Sequence, residues 1–440
     1  MKIENAADHF SSSYGEARQK FLAAGVAARA DIVSLKNPAA GPGDEELLTD
    51  LALLGPRYSK TVLVLISGTH GVEGFGGSAV QTGLMREGIA LNLREDSSIL
   101  MIHAINPYGF AHIRRVDENN VDLNRNFLDH SKPHPRNPAY DALADFIAPL
   151  SVLSLSRIAV WPRLLWYKAT GRAKVLQQAI SGGHYSHPEG LFYGGRSETW
   201  SNSTLRSIVQ KYLSGAQRVV VIDLHTGLGA YGDYEIILQQ PEESPTYRRA
   251  IAIWGSEKVR TTFNGDSDQG AGETDDHSFS AKLLGPIKLA FENLLPKAEV
   301  TAVTVDFGTS SAIKVFLAMR DENWLHHHGN PSTTRGKRIK AALRRAFCPE
   351  DDGWKQMVWS GAKQYEVDPH ASGTFGWSVP AARPRCGGVR GANSLADSAQ
   401  AESAHPSAVI TEPAEVRKIL LHLVKIGRSP AGFDPTSLNP

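Results

Sequence analysis

TVLVLISGTHGVEGFGGSA, residues 61–79, is the stretch whose reading decides the fold of this chain. Its first part, Val62 to Ile66, is an apolar, β-branched run of the length expected for a buried strand. The run stops at Ser67-Gly68, and His70 and Glu73 follow in the spacing H-x-x-E. A Gly-rich turn and an apolar-periodic segment (Val80, Leu84, Met85) come next. The pair therefore stands where a strand ends and a helix begins. In open α/β sheets, ligands bind in the crevice beyond the carboxyl ends of the strands. That place gives a short pattern more weight than the same residues would carry elsewhere.

The same rhythm extends outward. A helix is expected around Tyr14–Ala30, followed by an extended segment and a turn at Ala40-Gly41-Pro42-Gly43. The spacing predicts a helix near 76–88 and a second strand at Ser98–Ile105, and Asn106-Pro107-Tyr108-Gly109 is a strong turn. Residues 131–215 carry mostly helical patterns, an insertion with Trp161 and Trp166, and the loop HYSHPEGLFYGG. Arg218–Leu224 reads as another buried strand, with Asp223 near its end and His225 just beyond. Tyr234–Leu238 and Val300–Val305 are further strands, separated by a Gly- and Asp-rich loop at Asn264–His277. Helical patterns return at Ala312–Trp324 and Thr334–Phe347. Strands alternating with helices predict an α/β fold built on a mixed, mostly parallel sheet with helices on both faces.

Composition bounds the rest. The 440 residues, 41% hydrophobic and 8% aromatic, suffice for a substantial core. A formal net charge of +1 argues against a broad electrostatic footprint for nucleic acid or an anionic membrane. Cys348 and Cys386 have no metal-ligand spacing and give no disulfide framework. The N-terminal stretch lacks the apolar core of a secretory signal, and the apolar run near Ile158–Tyr167 is too short to span a bilayer. A soluble, cytoplasmic protein is the default expectation. Near residue 366 the composition shifts to Ala, Ser, Gly, Pro and Arg. The expected organisation is a catalytic domain over residues 1–345 and a C-terminal extension over 346–440. The extension is low-complexity at about 366–412 and then forms a short helix at Glu412–Ile426.

Three strands in this reading end in polar residues: His70 with Glu73, His225, and Asp306 in VTVDFGT. A catalytic zinc takes three protein ligands of histidine and carboxylate type and keeps one position open. His70, Glu73 and His225 supply such a set, and Asp306 is the candidate proton acceptor. Each signal has a bland counterpart. H-x-x-E alone is common by chance, and a lone strand-end histidine is more often a hydrogen-bonded loop residue. Asp223 lies on the same strand face as His225 and is a candidate for orienting it. His326-His327-His328 ends a helix ahead of Gly329, which favours a solvated helix terminus over a ligand cluster. Arg115, Asn124 and Arg125 fall in the polar run RRVDENNVDLNRNF. Arginine suits bidentate binding of carboxylates and stabilisation of a developing oxyanion, although loop salt bridges use the same residues.

Taken in order, H-x-x-E at 70–73, NPYGF at 106–110, RVDENNVDLNRNF at 115–127 and DLHTG at 223–227 resemble the zinc carboxypeptidase (M14) family. The likeness is to its DUF2817 branch of predicted metallopeptidases, which GLFYGG, VDFGT and NWLHHHG also resemble. It covers roughly residues 5–345 and implies a carboxypeptidase-like sheet. It further implies Zn2+ bound by His70, Glu73 and His225. Asn124 and Arg125 would hold a free carboxylate of the substrate, and Arg115 would polarise the scissile carbonyl. The family places a glutamate as general base where this chain has Asp306, one methylene shorter. The expected partner is a small peptide or an N-acyl amino acid, without nucleic acid or membrane. The aspartoacylase and succinylglutamate desuccinylase branch resembles the same scaffold, so a small-molecule N-deacylase is the alternative. A catalytically impaired protein that binds zinc and a carboxylate is another.

Overall fold

Strands β1 (Asp31–Ala40), β2 (Glu46–Leu54), β3 (Thr61–Ser67), β4 (Ser97–His103), β5 (Arg218–Gly227), β6 (Tyr234–Leu238), β7 (Val259–Thr261) and β8 (Glu299–Gly308) form one sheet. Their order across it is β1-β2-β4-β3-β5-β8-β6-β7. This computed structural model describes residues 5–152, 160–262 and 283–364. The expected loop at Asn264–His277, the low-complexity segment and the helix at Glu412–Ile426 lie outside the described residues.

The opening stretch folds as its sequence indicates. β3 is almost entirely buried, as a central parallel strand must be when both faces are covered. It pairs in parallel with β4 on one side (Val64 opposite Leu100) and with β5 on the other (Val64 opposite Val221). β8 continues the parallel set beside β5. β1 pairs antiparallel with β2, β2 with β4 and β6 with β8, whereas β6 and β7 are parallel, so the sheet is mixed and mostly parallel, as expected. The segment read only as extended, ahead of the turn at Ala40-Gly41-Pro42-Gly43, is β1, and β2 beyond that turn is a strand the sequence reading did not include.

Alternation along the strands separates two cores. Leu65, Met101, Ile222, Val303 and Phe307 face one side, with Phe21 and Phe75 from helices α1 (Tyr14–Ala27) and α2 (Gly74–Arg86). Val64, Ile66, Ile102, Val221 and Ala302 face the other. That side is covered by α3 (Trp200–Leu213), through Leu205 and Ile208, and by α4 (Ile287–Leu294), through Ile287 and Phe291. Each side chain of this kind that is fully buried contributes about 1.5–3 kcal/mol of transfer free energy. Helix α5 (Ala312–His328) ends in the three histidines, with His326 and His328 exposed, so this run is a solvated helix terminus. α6 (Thr334–Phe347) and α7 (Asp352–Gln364) follow, and Trp354 and Trp359 of α7 bury into the first core.

After β3 the chain builds β4 on one side of it, and later β5 on the other. The crevice between β3 and β5 is thus a topological switch point. Two glycines shape the turn that enters it. Gly68 adopts φ +68°, where an added Cβ would lie 2.7 Å from that of Ala104. A Cβ at Gly71 would meet the Gly109 carbonyl carbon at 2.0 Å, so two backbones pass where no side chain fits. Gly71→Ala is expected to lower stability by about 1–3 kcal/mol through overpacking. Denaturant unfolding checks this, and an unchanged midpoint would contradict the tight passage.

Candidate functional site

The H-x-x-E turn is held from below by the chain that carries the arginines. Gly71 N donates to Arg115 O at 3.0 Å and Val72 N to Arg114 O at 2.8 Å. Arg114 is itself buried, with Nε donating to Glu322 Oε1 at 3.0 Å, and Lys340 Nζ donates to the same oxygen at 2.7 Å. α5 and α6 therefore clamp the segment that sets the spacing between His70 and Glu73.

At the turn, His70 Nδ1 lies 2.9 Å from Glu73 Oε1, and His225 Nδ1 lies 2.8 Å from Glu73 Oε2. The two Nδ1 atoms are 3.1 Å apart. Ligands about 2.0–2.1 Å from one tetrahedral ion stand roughly 3.3 Å from each other. His70, Glu73 and His225 are 4%, 2% and 4% exposed. Among the described residues they are the group whose donors converge as a metal site requires.

The far side of each ring is bound to a carboxylate. His225 Nε2 lies 2.6 Å from Asp223 Oδ2, whose other oxygen accepts from Thr69 Oγ1 at 2.7 Å. His70 Nε2 lies 3.1 Å from Asp122 Oδ1. The proton that His225 Nε2 gives to Asp223 leaves the His225 Nδ1 lone pair directed at His70 Nδ1 and at the Glu73 carboxylate. Without a cation or an extra proton between them, that arrangement is repulsive. A divalent ion resolves it, and carboxylate-held imidazoles are the usual support of metal-ligating histidines. The donor set thus fits a metal of the zinc type. Asp223→Asn is expected to weaken zinc binding about 10–100-fold. Competition with a chelator measures this, and unchanged affinity would remove Asp223 from the support.

The charges are strongly coupled. Burial would raise the Glu73 carboxyl, but His70, His225 and Arg115 outweigh it and hold it low. Burial likewise opposes ionisation of Asp122, and Arg125, His70 and Arg115 outweigh it. Burial would lower His225, but the Asp223 and Glu73 carboxylates push it up to about 10. A metal held at Nδ1 would take the place of that extra proton. Asp306 is aligned with His225 across the parallel β5–β8 pair, so both side chains leave the same face of the sheet. Its Oδ1 is sealed from solvent and has no hydrogen-bond partner among the described residues. Burial and the nearby Glu73 push Asp306 up to about 8, against the pull of His225 and Arg115. A bound cation acts in the same direction as those two.

The arginines are placed differently from one another. Arg115 keeps 17% of its side chain exposed; Nη1 donates to Glu73 Oε1 at 2.7 Å, and Nη2 lies 2.8 Å from His70 Nε2. Arg125 is buried, with Nη1 donating to Asp122 Oδ2 at 2.9 Å and Nη2 to Ser181 O, while Nε has no partner among the described residues. Asn124 Oδ1 accepts from Ile287 N at 3.1 Å. Tyr185 caps this layer, its hydroxyl donating to Arg125 O at 2.7 Å. The Phe192 ring lies 5.5 Å from the Arg115 guanidinium and 5.0 Å from that of Arg125. Phe192 sits at φ 62°, an unusual backbone for a bulky residue.

Asp122 is the residue that sequence reasoning passed over. It is fully buried and contacts His70, Arg115 and Arg125 at once. Its signal was the D-L-N-R run, in which an Asp accepts from the N–H two residues on, as Asp122 Oδ1 does from Asn124 N at 3.0 Å.

The chain is similar in structure to carboxypeptidase A from Helicoverpa armigera, at 12% identity over 77% of this chain and 75% of that one, with a TM-score of 0.40. It is similar to a succinylglutamate desuccinylase from Silicibacter sp. TM1040, at 14% identity over 68% and 66%, with a TM-score of 0.33. An aspartoacylase family protein from Mesorhizobium loti MAFF303099 matches at 13% identity over 67% and 66%, with a TM-score of 0.31. No curated protein matches the chain. Among the described residues, no helix is long and apolar enough to cross a membrane. A family model described as "Protein of unknown function (DUF2817)" matches residues 10–361, most of the sequence, and the chain belongs to the DUF2817 family.

Proposed function

We propose that this protein is a zinc-dependent hydrolase that cleaves an amide or peptide bond next to a free carboxylate, in the manner of a metallocarboxypeptidase. The observation that carries the reading is the convergence of His70 Nδ1, Glu73 and His225 Nδ1, each imidazole backed by a buried aspartate. Zinc, when bound by these three residues, supplies Lewis acidity that polarises a carbonyl and makes water more acidic. Asp306, on the neighbouring strand, accepts the proton of the attacking water and returns it to the leaving nitrogen. Arg115, the more exposed of the two arginines, donates to the carbonyl oxygen as charge develops there. Asn124 and Arg125 hold the carboxylate of the substrate, and the unpartnered Arg125 Nε is a donor suited to it.

A panel of dipeptides and N-acyl amino acids, each with a free and an amidated carboxylate, tests this function on the zinc-loaded protein. Hydrolysis of free-carboxylate substrates is expected, with kcat/KM at least about 100-fold lower for the amidated forms, whose charge-assisted bonds are lost. Preference for dipeptides supports the peptidase reading, and preference for N-acyl amino acids supports the deacylase. Equal turnover of free and amidated forms would contradict the roles of Asn124 and Arg125.

A further inference from the structure

The near-neutral balance of the whole chain hides a local asymmetry. Residues 146–188 contain Arg157, Arg163, Lys168, Arg172 and Lys174 and not one aspartate or glutamate. Two helices of this segment, Val160–Ala169 and Ala173–Ser181, pack against each other as a hairpin. The inward residues are clear: Val160, Leu164 and Tyr167 from the first helix, and Leu176, Ala179 and Ile180 from the second, join the core. The outward side is not uniformly polar, as solvent would favour. Leu165 and Trp166 are 52% and 51% exposed, Val175 is 61% exposed, and Leu150, just before the hairpin, is 80% exposed. These four are a large share of the exposed large apolar side chains among the described residues, gathered in one stretch. The Arg172 guanidinium lies 5.7 Å from the Trp166 ring, so cation and aromatic share one surface.

We infer that this hairpin is a docking surface for an anionic lipid bilayer, which it meets side-on without spanning it. Basic residues interleaved with exposed Trp, Leu and Val, with acids excluded, are what an interfacial membrane element requires. The apolar side chains enter the boundary of headgroups and acyl chains, and the exposed Arg163 and Arg172 stay at the level of the headgroups. A nucleic acid would use the same cations, but leucine and valine offer it no stacking surface. The exposed apolar side chains therefore favour lipid. No acidic side chain of the segment opposes the approach.

Flotation of the full-length protein with phosphatidylcholine vesicles, with and without phosphatidylserine, tests this at low and high salt. Co-flotation with the anionic vesicles is expected, at least about tenfold stronger than with the neutral ones and weakened by salt. Arg163→Gln and Arg172→Gln should each reduce partitioning about fivefold. The pair Leu165→Ser with Trp166→Ser should reduce it about tenfold or more. These positions are solvent-facing, and circular dichroism confirms that the variants fold. Val175→Ser, on the second helix, gives an independent reduction. Failure to float, equal partitioning to both vesicle types, or unchanged partitioning of the serine pair would overturn the inference. Tight binding of a single-stranded oligonucleotide by the serine pair, without flotation of the parent protein, would assign the surface to nucleic acid instead.

Discussion

Replacing His70 with alanine is expected to remove stoichiometric zinc and to reduce hydrolysis by at least about a thousandfold, since a bound metal stabilises charge in the transition state by several kcal/mol. The effect should be this large because His70 is tied to every part of the centre. Its Nδ1 faces Glu73 and His225, and its Nε2 faces Asp122 and Arg115. Alanine leaves two donors from the chain and an unfilled space in the buried cluster. Elemental analysis of the purified variant, alongside its turnover, reads both quantities. Retention of either zinc or activity would sink the assignment. His328→Ala, at the solvated end of α5, is the matched control and should change neither.

Asp306 carries the second large effect. Asp306→Asn keeps the size of the side chain but cannot accept the proton, and a lost general base costs about 10²–10⁴-fold in rate. Zinc content should stay unchanged, because Asp306 is outside the converging set. That separation of rate from metal distinguishes a proton acceptor from a ligand. Asp306→Glu sharpens the point. The register opposite His225 sets the backbone of Asp306, so an added methylene displaces the carboxylate by about 1 Å and should cost about a hundredfold. A large gain from undetectable activity would instead mark the parent as a degenerate enzyme that kept its metal and lost its base.

How much of this was legible in the sequence depended on the range of the interaction. β3 could be read from five apolar residues, because a strand buried on both faces leaves no other trace. His70, Glu73 and His225 could be paired because each follows or ends a strand of the parallel set, and parallel strands bring like ends together. β1 was read only as an extended segment, because it is largely exposed and lacks a continuous apolar run, and β2, its antiparallel partner beyond the turn, was missed. The burial of Arg125 was not legible at all. It depends on residues far away in sequence: Ser181 O accepts from the guanidinium and the Tyr185 hydroxyl donates to the Arg125 carbonyl. Asp122 escaped for a related reason. A lone aspartate in a polar run looks like turn chemistry until three charged partners are seen to converge on it. The basic hairpin escaped because a whole-chain charge of +1 averages out a segment with no acids.

X-ray absorption at the zinc edge of the zinc-loaded full-length protein tests the centre most directly. The expected result is one tightly held zinc per chain with two imidazole nitrogens and one carboxylate from the protein, at about 2.0–2.2 Å. Three imidazole ligands, as His326–His328 could provide, or no zinc retained after desalting, would contradict a metal held by His70, Glu73 and His225.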